Sequence, residues 1–377
     1  MEVYVYMTNL GEKIRLARER AGLTQNQVTE RCGIDDSSLS SFENGHSEPR
    51  LSQLEQLSGV YHIPLSFFFD NSSLKNQIVM WRNKPEDSSL VSQKEIEAEF
   101  LQLCQQYRQL EIWTNELSEK EIPILDNYGV ELKYALVQEM ANNARKCLGL
   151  GDRPGNSLYT ILEEVFCVKI FHLNLGSAGV AACAVSDDFG KGILLNSQCS
   201  RWRRNHDLAH ELFHILTWER FNHDDEICNP SDEEEKFATC FAGNLLLPEE
   251  IVKISIEKAA DSKGQISFDR LDNIAREFDV SLESLLWRMH FVFNWKEEET
   301  KKYIEEAKEF VKNFPRTDSS QPQQFPERYK SLAIKALQEG KISQGRFTKF
   351  MKISRKEAEK YISGRETDYA EVPIPAA

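Results

Sequence analysis

Two histidines four residues apart, His210 and His214, bracket Glu211 in the stretch HDLAHELFHIL, residues 206–216. On an α-helix, residues at this spacing stack one turn above each other, so both imidazoles can point at one metal ion. Glu211 falls on the same side, where a carboxylate can take a proton from water. A zinc ion held this way needs a third protein ligand and leaves its fourth position to water. The competing account is two histidines packed on an ordinary helix, so the surroundings have to decide.

Those surroundings carry a second pattern. EEEKFATCFAGNLLLP (233–248) supplies carboxylates, an apolar helical face and a terminating proline. Taken together, RRNHDLAHELFHIL followed by E-x-x-A-x-x-F-A-x-x-L-L-x-P resembles the ImmA/IrrE family of bacterial metallo-endopeptidases. The upstream ILEEVFCVKIFHL, a strand pair, and ILLN before the motif helix follow the same order, and the resemblance covers roughly residues 150–295.

The resemblance implies His210 and His214 as ligands of a zinc ion (Zn2+) and Glu211 as the general base. It implies Glu235 as third ligand, three residues before Ala238 and thirteen before Pro248, with Glu234 the alternative if the register slips by one. The family usually has Asn after that alanine. Thr239 stands there instead, read as a changed hydrogen-bonding neighbour of the ligands. The implied chemistry is hydrolysis of a peptide bond, Glu211 passing the proton of water to the leaving amine. Manganese or iron would suit the same ligand types.

Other residues near the motif carry two accounts each. His172, His206 and His223 are candidate oxyanion stabilisers or structural histidines. Arg201, Arg203 and Arg204 are candidate substrate holders or a solvated basic face. Cys199 and Cys240 are redox candidates or small buried hydrophobes.

The N-terminal stretch GLTQNQVTERCGIDDSSLSSFENG sits in a run with apolar residues at helical spacing: Leu10, Ile14, Leu16, Ala17, Val28, Leu39, Phe42, Leu51, Leu54 and Leu57. Gly22, Gly33 and Gly45 punctuate it. Residues 8–70 resemble the XRE (lambda-repressor-like) helix-turn-helix family through Leu23-Thr-Gln25, Gly33, Phe42-Glu43-Asn-Gly45 and PLSFFF. The resemblance implies DNA binding, with Gln25 and Asn44 near phosphates and Asp36, Ser37, Ser38 and Ser41 facing the major groove. Charge argues the other way: residues 1–70 hold six basic side chains against ten acidic ones, a net of −4, and no Arg or Lys lies on the reading helix. Docking to a protein, or to a second copy as a homodimer, is the competing role.

Positioning these groups requires several units, which 377 residues can supply. The expected division is a helix-turn-helix domain at 8–70, a helical connector at 71–130, a zinc peptidase domain at 131–295 and a helical C-terminal region at 296–377. Within the connector, 71–91 reads as loop and a capping pattern at Ser92–Glu95 opens a helix towards Ser118, with Ile96, Phe100, Leu103, Tyr107, Leu110 and Leu117 on one side. GVAACAVSDDFGKGILLN (179–196) reads as two strands around a turn at Asp187 to Gly192. The fold class is therefore predominantly α with a small β-sheet (α+β), combining an all-helical bundle, a zincin-like domain and a helical extension.

Eleven Lys/Arg against four Glu make 327–365 strongly basic within a chain of net charge −14. This segment either supplies charge for DNA or folds back onto the acidic body. Eight scattered cysteines, no apolar run of membrane-spanning length and no signal-peptide pattern fit a cytoplasmic chain with reduced thiols and no membrane partner. The sequence reading is a zinc endopeptidase joined to a DNA-binding module, with a transcriptional repressor as its protein substrate. Its rival is a DNA-binding regulator or antitoxin-like protein whose peptidase fold senses or docks a partner.

Overall fold

A computed structural model describes residues 9–69, 77–82, 93–117, 120–123, 131–176, 181–221, 230–317 and 321–363. Its architecture is mostly helical with one small mixed sheet, the α+β class read from the sequence. His223, Cys228, Ser92, residues 224–229 and the C-terminal tail lie outside the described residues.

The N-terminal bundle consists of α1 (Leu10–Arg20), α2 (Gln25–Cys32), α3 (Asp36–Glu43) and α4 (Leu51–Val60), closed by a 3-10 turn at Leu65–Phe68. Asn9, Thr24 and Asp35 each accept a backbone N–H of the helix they open, which satisfies donors the helix itself cannot. Gly33 ends α2 at φ 67, a left-handed conformation that costs glycine nothing. Ile14, Ala17, Val28, Leu39, Leu54 and Leu57 form the core, whereas Leu51, expected inside, is exposed as the first residue of α4.

The sheet has the order β1-β3-β4-β2, with β1 at Met80–Trp81, β2 at Lys169–Leu173, β3 at Ala181–Ser186 and β4 at Gly190–Asn196. β3 and β4 form an antiparallel hairpin in which Ser186 faces Gly190, so the turn is tighter than the expected 187–192. β2 runs parallel to β4, Lys169 opposite Gly192 through Leu173 opposite Asn196. Strand β1 lies within the stretch expected to be loop; two residues are too few for an alternating pattern to show.

Alternation along the strands gives the sheet two apolar faces. Ile170, Cys183, Ile193 and Leu195 join one core, with α6 (Tyr134–Cys147), the single turn α7 (Leu158–Thr160), α8 (Arg201–Leu216) and α9 (Asp232–Leu246). The same core takes residues from α10 (Glu249–Ala259), α11 (Phe268–Glu277), α12 (Leu282–Phe293) and α13 (Glu297–Asn313). Phe171, Ala182, Ala184 and Leu194 join the other core, covered by α5 (Gln93–Trp113), α14 (Glu327–Gln338), α15 (Gln344–Met351) and α16 (Arg355–Ser363). Gly192 permits this second layer to close: a Cβ there would come 2.8 Å from Cys104 Sγ and 3.0 Å from the Phe100 ring of α5.

Helix α5 stops before the expected Ser118 because Asn115 turns left-handed at φ 55, and Leu117, expected on the buried side, is exposed. The basic C-terminal segment folds back onto acidic partners. Arg328 pairs with Glu111, Lys335 with Glu116, Lys352 with Glu99 and Lys349 with Glu55 of α4. Across the same junction Arg31 of α2 pairs with Glu95 of α5.

Candidate metal centre

Helix α8 runs under β3 and β4 and beside α9, and from Arg204 to Leu216 only His206 is more than slightly exposed. Such all-round burial suits LAHELFHIL, whose apolar residues face sheet and helices while the polar ones share one side. Helix α9 starts at Ser231, whose hydroxyl accepts the Glu234 N–H. Asp232, Glu233, Glu234 and Glu235 fill its first turn, where the helix dipole favours negative charge. Packing of α9 on α8 brings this acidic turn to the two histidines.

Two adjacent glutamates then do different things. Glu235 lies 3.1 Å from His210 Nε2 and 3.5 Å from His214 Nε2, while Glu234 Oε1 lies 2.8 Å from His214 Nδ1 on the far side of the ring. The ligand atoms of His210, His214 and Glu235 all fall within 4.8 Å of one another, and this is the group among the described residues able to hold a metal ion. His210 Nε2, His214 Nε2 and Glu235 Oε1 are buried without a hydrogen bond, despite the close approach to one another. Buried polar atoms normally find partners, so three converging orphans of this chemistry fit a divalent cation such as zinc.

Electrostatics separate the groups. Burial opposes charge on His214, but its bonds to Glu234 and Glu235 prevail and raise it to about 9. Burial likewise opposes charge on Glu235, and its contacts with His210 and His214 prevail to hold it at about 2. His210 is pushed down to about 3 by burial. Glu211 is fully buried, both its oxygens lack hydrogen bonds, and desolvation lifts it to about 7. A carboxyl poised near neutrality can both take and return a proton.

Three neighbours had no mark in the sequence reading. Cys183 of β3 adjoins Glu211, its thiol pushed well up by burial and by that carboxylate. Asp207, three residues before His210 on the same helix face, is buried and pairs with Arg203 at 3.0 Å and with Arg82 just after β1. The helical i, i+3 spacing was the available signal for Asp207; nothing local marks Arg82 or Cys183.

The remaining candidates are placed as follows. Arg201 pairs with Asp279 at 2.9 Å and Arg204 donates to the Cys199 carbonyl, so both serve the start of α8. His172 and Arg204 line a separate cavity of about 310 Å³ together with Tyr159 and Asn205. His206 neighbours His210, with ring centroids 6.4 Å apart. Thr239 is exposed one turn after Glu235, and the half-buried Cys199 and Cys240 stand outside the three-residue group.

In the N-terminal bundle the expected DNA contacts are engaged internally. Gln25 donates to Glu43 at 2.8 Å and Asp36 accepts from Thr29 at 2.9 Å. Ser37 and Ser38 donate to Asp35, Ser41 pairs with Ser47, and Asn44 accepts from Arg15 while donating to the Ser40 carbonyl.

Comparison with known proteins matches two family models. Residues 14–68 match a helix-turn-helix family, and residues 163–290 match the IrrE N-terminal-like domain of the M78 peptidases. Among curated proteins, the HTH-type transcriptional regulator ImmR of Bacillus subtilis (strain 168) is 31% identical over 71 residues, 18% of this chain and 56% of the relative. An uncharacterized HTH-type transcriptional regulator of Sinorhizobium medicae (strain WSM419) is 31% identical over 64 residues, 17% of this chain and 46% of the relative. The chain thus spans about half the length of the curated relatives it matches. A solved Mycobacterium tuberculosis transcriptional regulator aligns with 50% of this chain and 51% of its own, at 16% identity and a TM-score of 0.30. The two matched segments and the two resemblances in the sequence agree: the chain carries an N-terminal helix-turn-helix domain of the XRE type and an IrrE-like domain of the M78 peptidase family.

Proposed function

We propose that the chain is a zinc-dependent endopeptidase coupled to a DNA-binding helix-turn-helix, and that its substrate is a protein regulator of transcription. The observation that carries this is the convergence of His210, His214 and Glu235, buried and unsatisfied, beside a general base with both oxygens free of hydrogen bonds. The two histidine Nε2 atoms and the Glu235 carboxylate would hold the ion, and Glu234 fixes the tautomer of His214 by binding its Nδ1. A bound zinc ion supplies Lewis acidity to a peptide carbonyl and acidifies water. Glu211 takes the proton from the attacking water and delivers it to the departing amine nitrogen. Full burial, with Cys183 beside it, keeps bulk water from the carboxylate, which holds its basicity near neutral pH.

The helix-turn-helix supports a place on or near DNA, and the two curated relatives named regulators support transcription as the setting. The second reading, a DNA-binding regulator whose M78-like domain senses or docks a partner, draws on those names. Glu211 separates the two, since a purely docking domain has no use for a buried, unpaired carboxylate beside the triad. The test compares zinc-supplied wild type with Glu211→Gln in a cell extract by labelling new protein N-termini. The proposal expects cleaved sites that lose about 10² to 10⁴ of their rate in the variant. Identical N-termini with both proteins would favour the docking reading.

A further inference from the structure

Strand β3 pairs with β4 along one side and packs on α8, and it carries Cys183 against Glu211. Its side away from β4 is therefore a main-chain edge of a strand that adjoins the candidate general base. A free edge presents N–H and C=O groups that pair readily with an extended peptide, which is how many domains capture one.

That edge is filled by the chain itself. Residues 77–82 run antiparallel along it: the Gln77 amide reaches Ser186 and Asp188, Met80 stands opposite Cys183, Trp81 opposite Ala182, and the Arg82 N–H donates to the Ala181 carbonyl at 3.1 Å. Side chains two apart share a face. Met80 accordingly packs with Cys183, Ile193 and Leu195 on the α8 side, and Arg82, on the same side, reaches the buried carboxylate of Asp207. Through Asp207 the Arg82 guanidinium stands against α8 one turn before His210.

We propose that the outer edge of β3 is a peptide-docking edge for an extended segment bearing an apolar residue over Cys183 and, two residues on, an arginine or lysine paired with Asp207, and that residues 79–82 occupy this edge as an internal pseudosubstrate. Asp207 is then the residue that selects a basic side chain, and the connector between the two domains holds the site closed at rest. Its meaning for cleavage rests on the endopeptidase reading; the docking itself is measured as binding, without metal.

The experiment uses the full chain, stripped of metal and then zinc-supplied, and a fluorescent hexapeptide of residues 77–82, QIVMWR. In Arg82→Ala, which leaves Asp207 with Arg203 but without its partner from residues 77–82, the hexapeptide binds at least about tenfold more tightly than in wild type. Replacing the peptide's arginine by alanine removes that gain, and Asp207→Asn makes the two peptides equal. Equal binding of both peptides to Arg82→Ala, or no binding at all, overturns the proposal. Should Arg82→Ala not fold, the peptide with a photoreactive benzophenone in place of its indole is offered to wild type. Crosslinks confined to 181–186 support the docking edge, and crosslinks elsewhere or none refute it. A wild type that takes up no zinc when supplied with it would sink the endopeptidase reading, and peptide binding by that same chain would leave the edge standing.

Discussion

Glu234 Oε1 lies 2.8 Å from His214 Nδ1, with both side chains buried, so the ring of His214 is fixed with Nε2 toward Glu235. Adjacent residues on α9 thus serve opposite faces of one imidazole, one behind the ring and one in front of it.

If that is the role of Glu234, then Glu234→Gln keeps the side chain's size and an acceptor oxygen but removes the charge that makes His214 a better donor. Zinc affinity, measured by competition with a chelating dye, is expected to fall by about 10- to 100-fold. Glu235→Ala should fall further, because an ion ligand is lost. Equal losses in the two variants would contradict the division of labour.

A pH prediction follows from His172 on β2. Burial, then the nearby charge of Arg204, depresses this imidazole to about 4 from an ordinary value of about 6.5. Between these limits the unfolded chain binds a proton that the folded chain refuses, so folding stability falls as pH drops through the window. The contribution is about 3 kcal/mol, fully present above about pH 6.5. Urea unfolding across pH 4–7 should therefore show a shallower acid loss in His172→Phe than in wild type. Parallel curves would remove His172 as a source of acid sensitivity.

DNA affinity should respond weakly to salt. Of the six basic residues in 1–70, Arg15 and Arg18 engage Glu43, Lys13 is buried, and Arg31 pairs with Glu95. Few cations remain to displace counterions, so the slope of log affinity against log salt should be no steeper than about −3. A slope clearly steeper than about −6, more than the six bundle cations together could give, would show that cations outside the bundle meet the phosphates. The basic helices α14 to α16 are poor candidates, since Arg328, Lys335, Lys349 and Lys352 are spent on carboxylates of α4, of α5 and of Glu116 just after it. Charge reversal there, at Lys356 and Lys360, tests this better than truncation at 326, which would strip Tyr329, Leu332 and Phe347 from the second core.

Much of the centre was legible because helical spacing is a local rule. His210, Glu211 and His214 follow from a period of 3.6. The choice between Glu234 and Glu235 was not legible from spacing alone, since it depends on how α9 rolls against α8. Strand β1, Arg82 and Cys183 were invisible for a similar reason. Their roles arise from pairing across about one hundred residues of sequence, and a two-residue strand leaves no periodic trace. The internal engagement of Gln25, Asp36 and the α3 serines also depends on packing, through Glu43 and Asp35, and no composition rule reports it.

The central claim is that His210, His214 and Glu235 hold one zinc ion. Elemental analysis of purified chain, wild type beside Glu235→Ala, tests it most directly. The account predicts about one zinc per wild-type chain and marked loss in the variant, with circular dichroism unchanged. A folded wild type that takes up no zinc when supplied with it, or a Glu235→Ala chain that keeps a full complement, would contradict it.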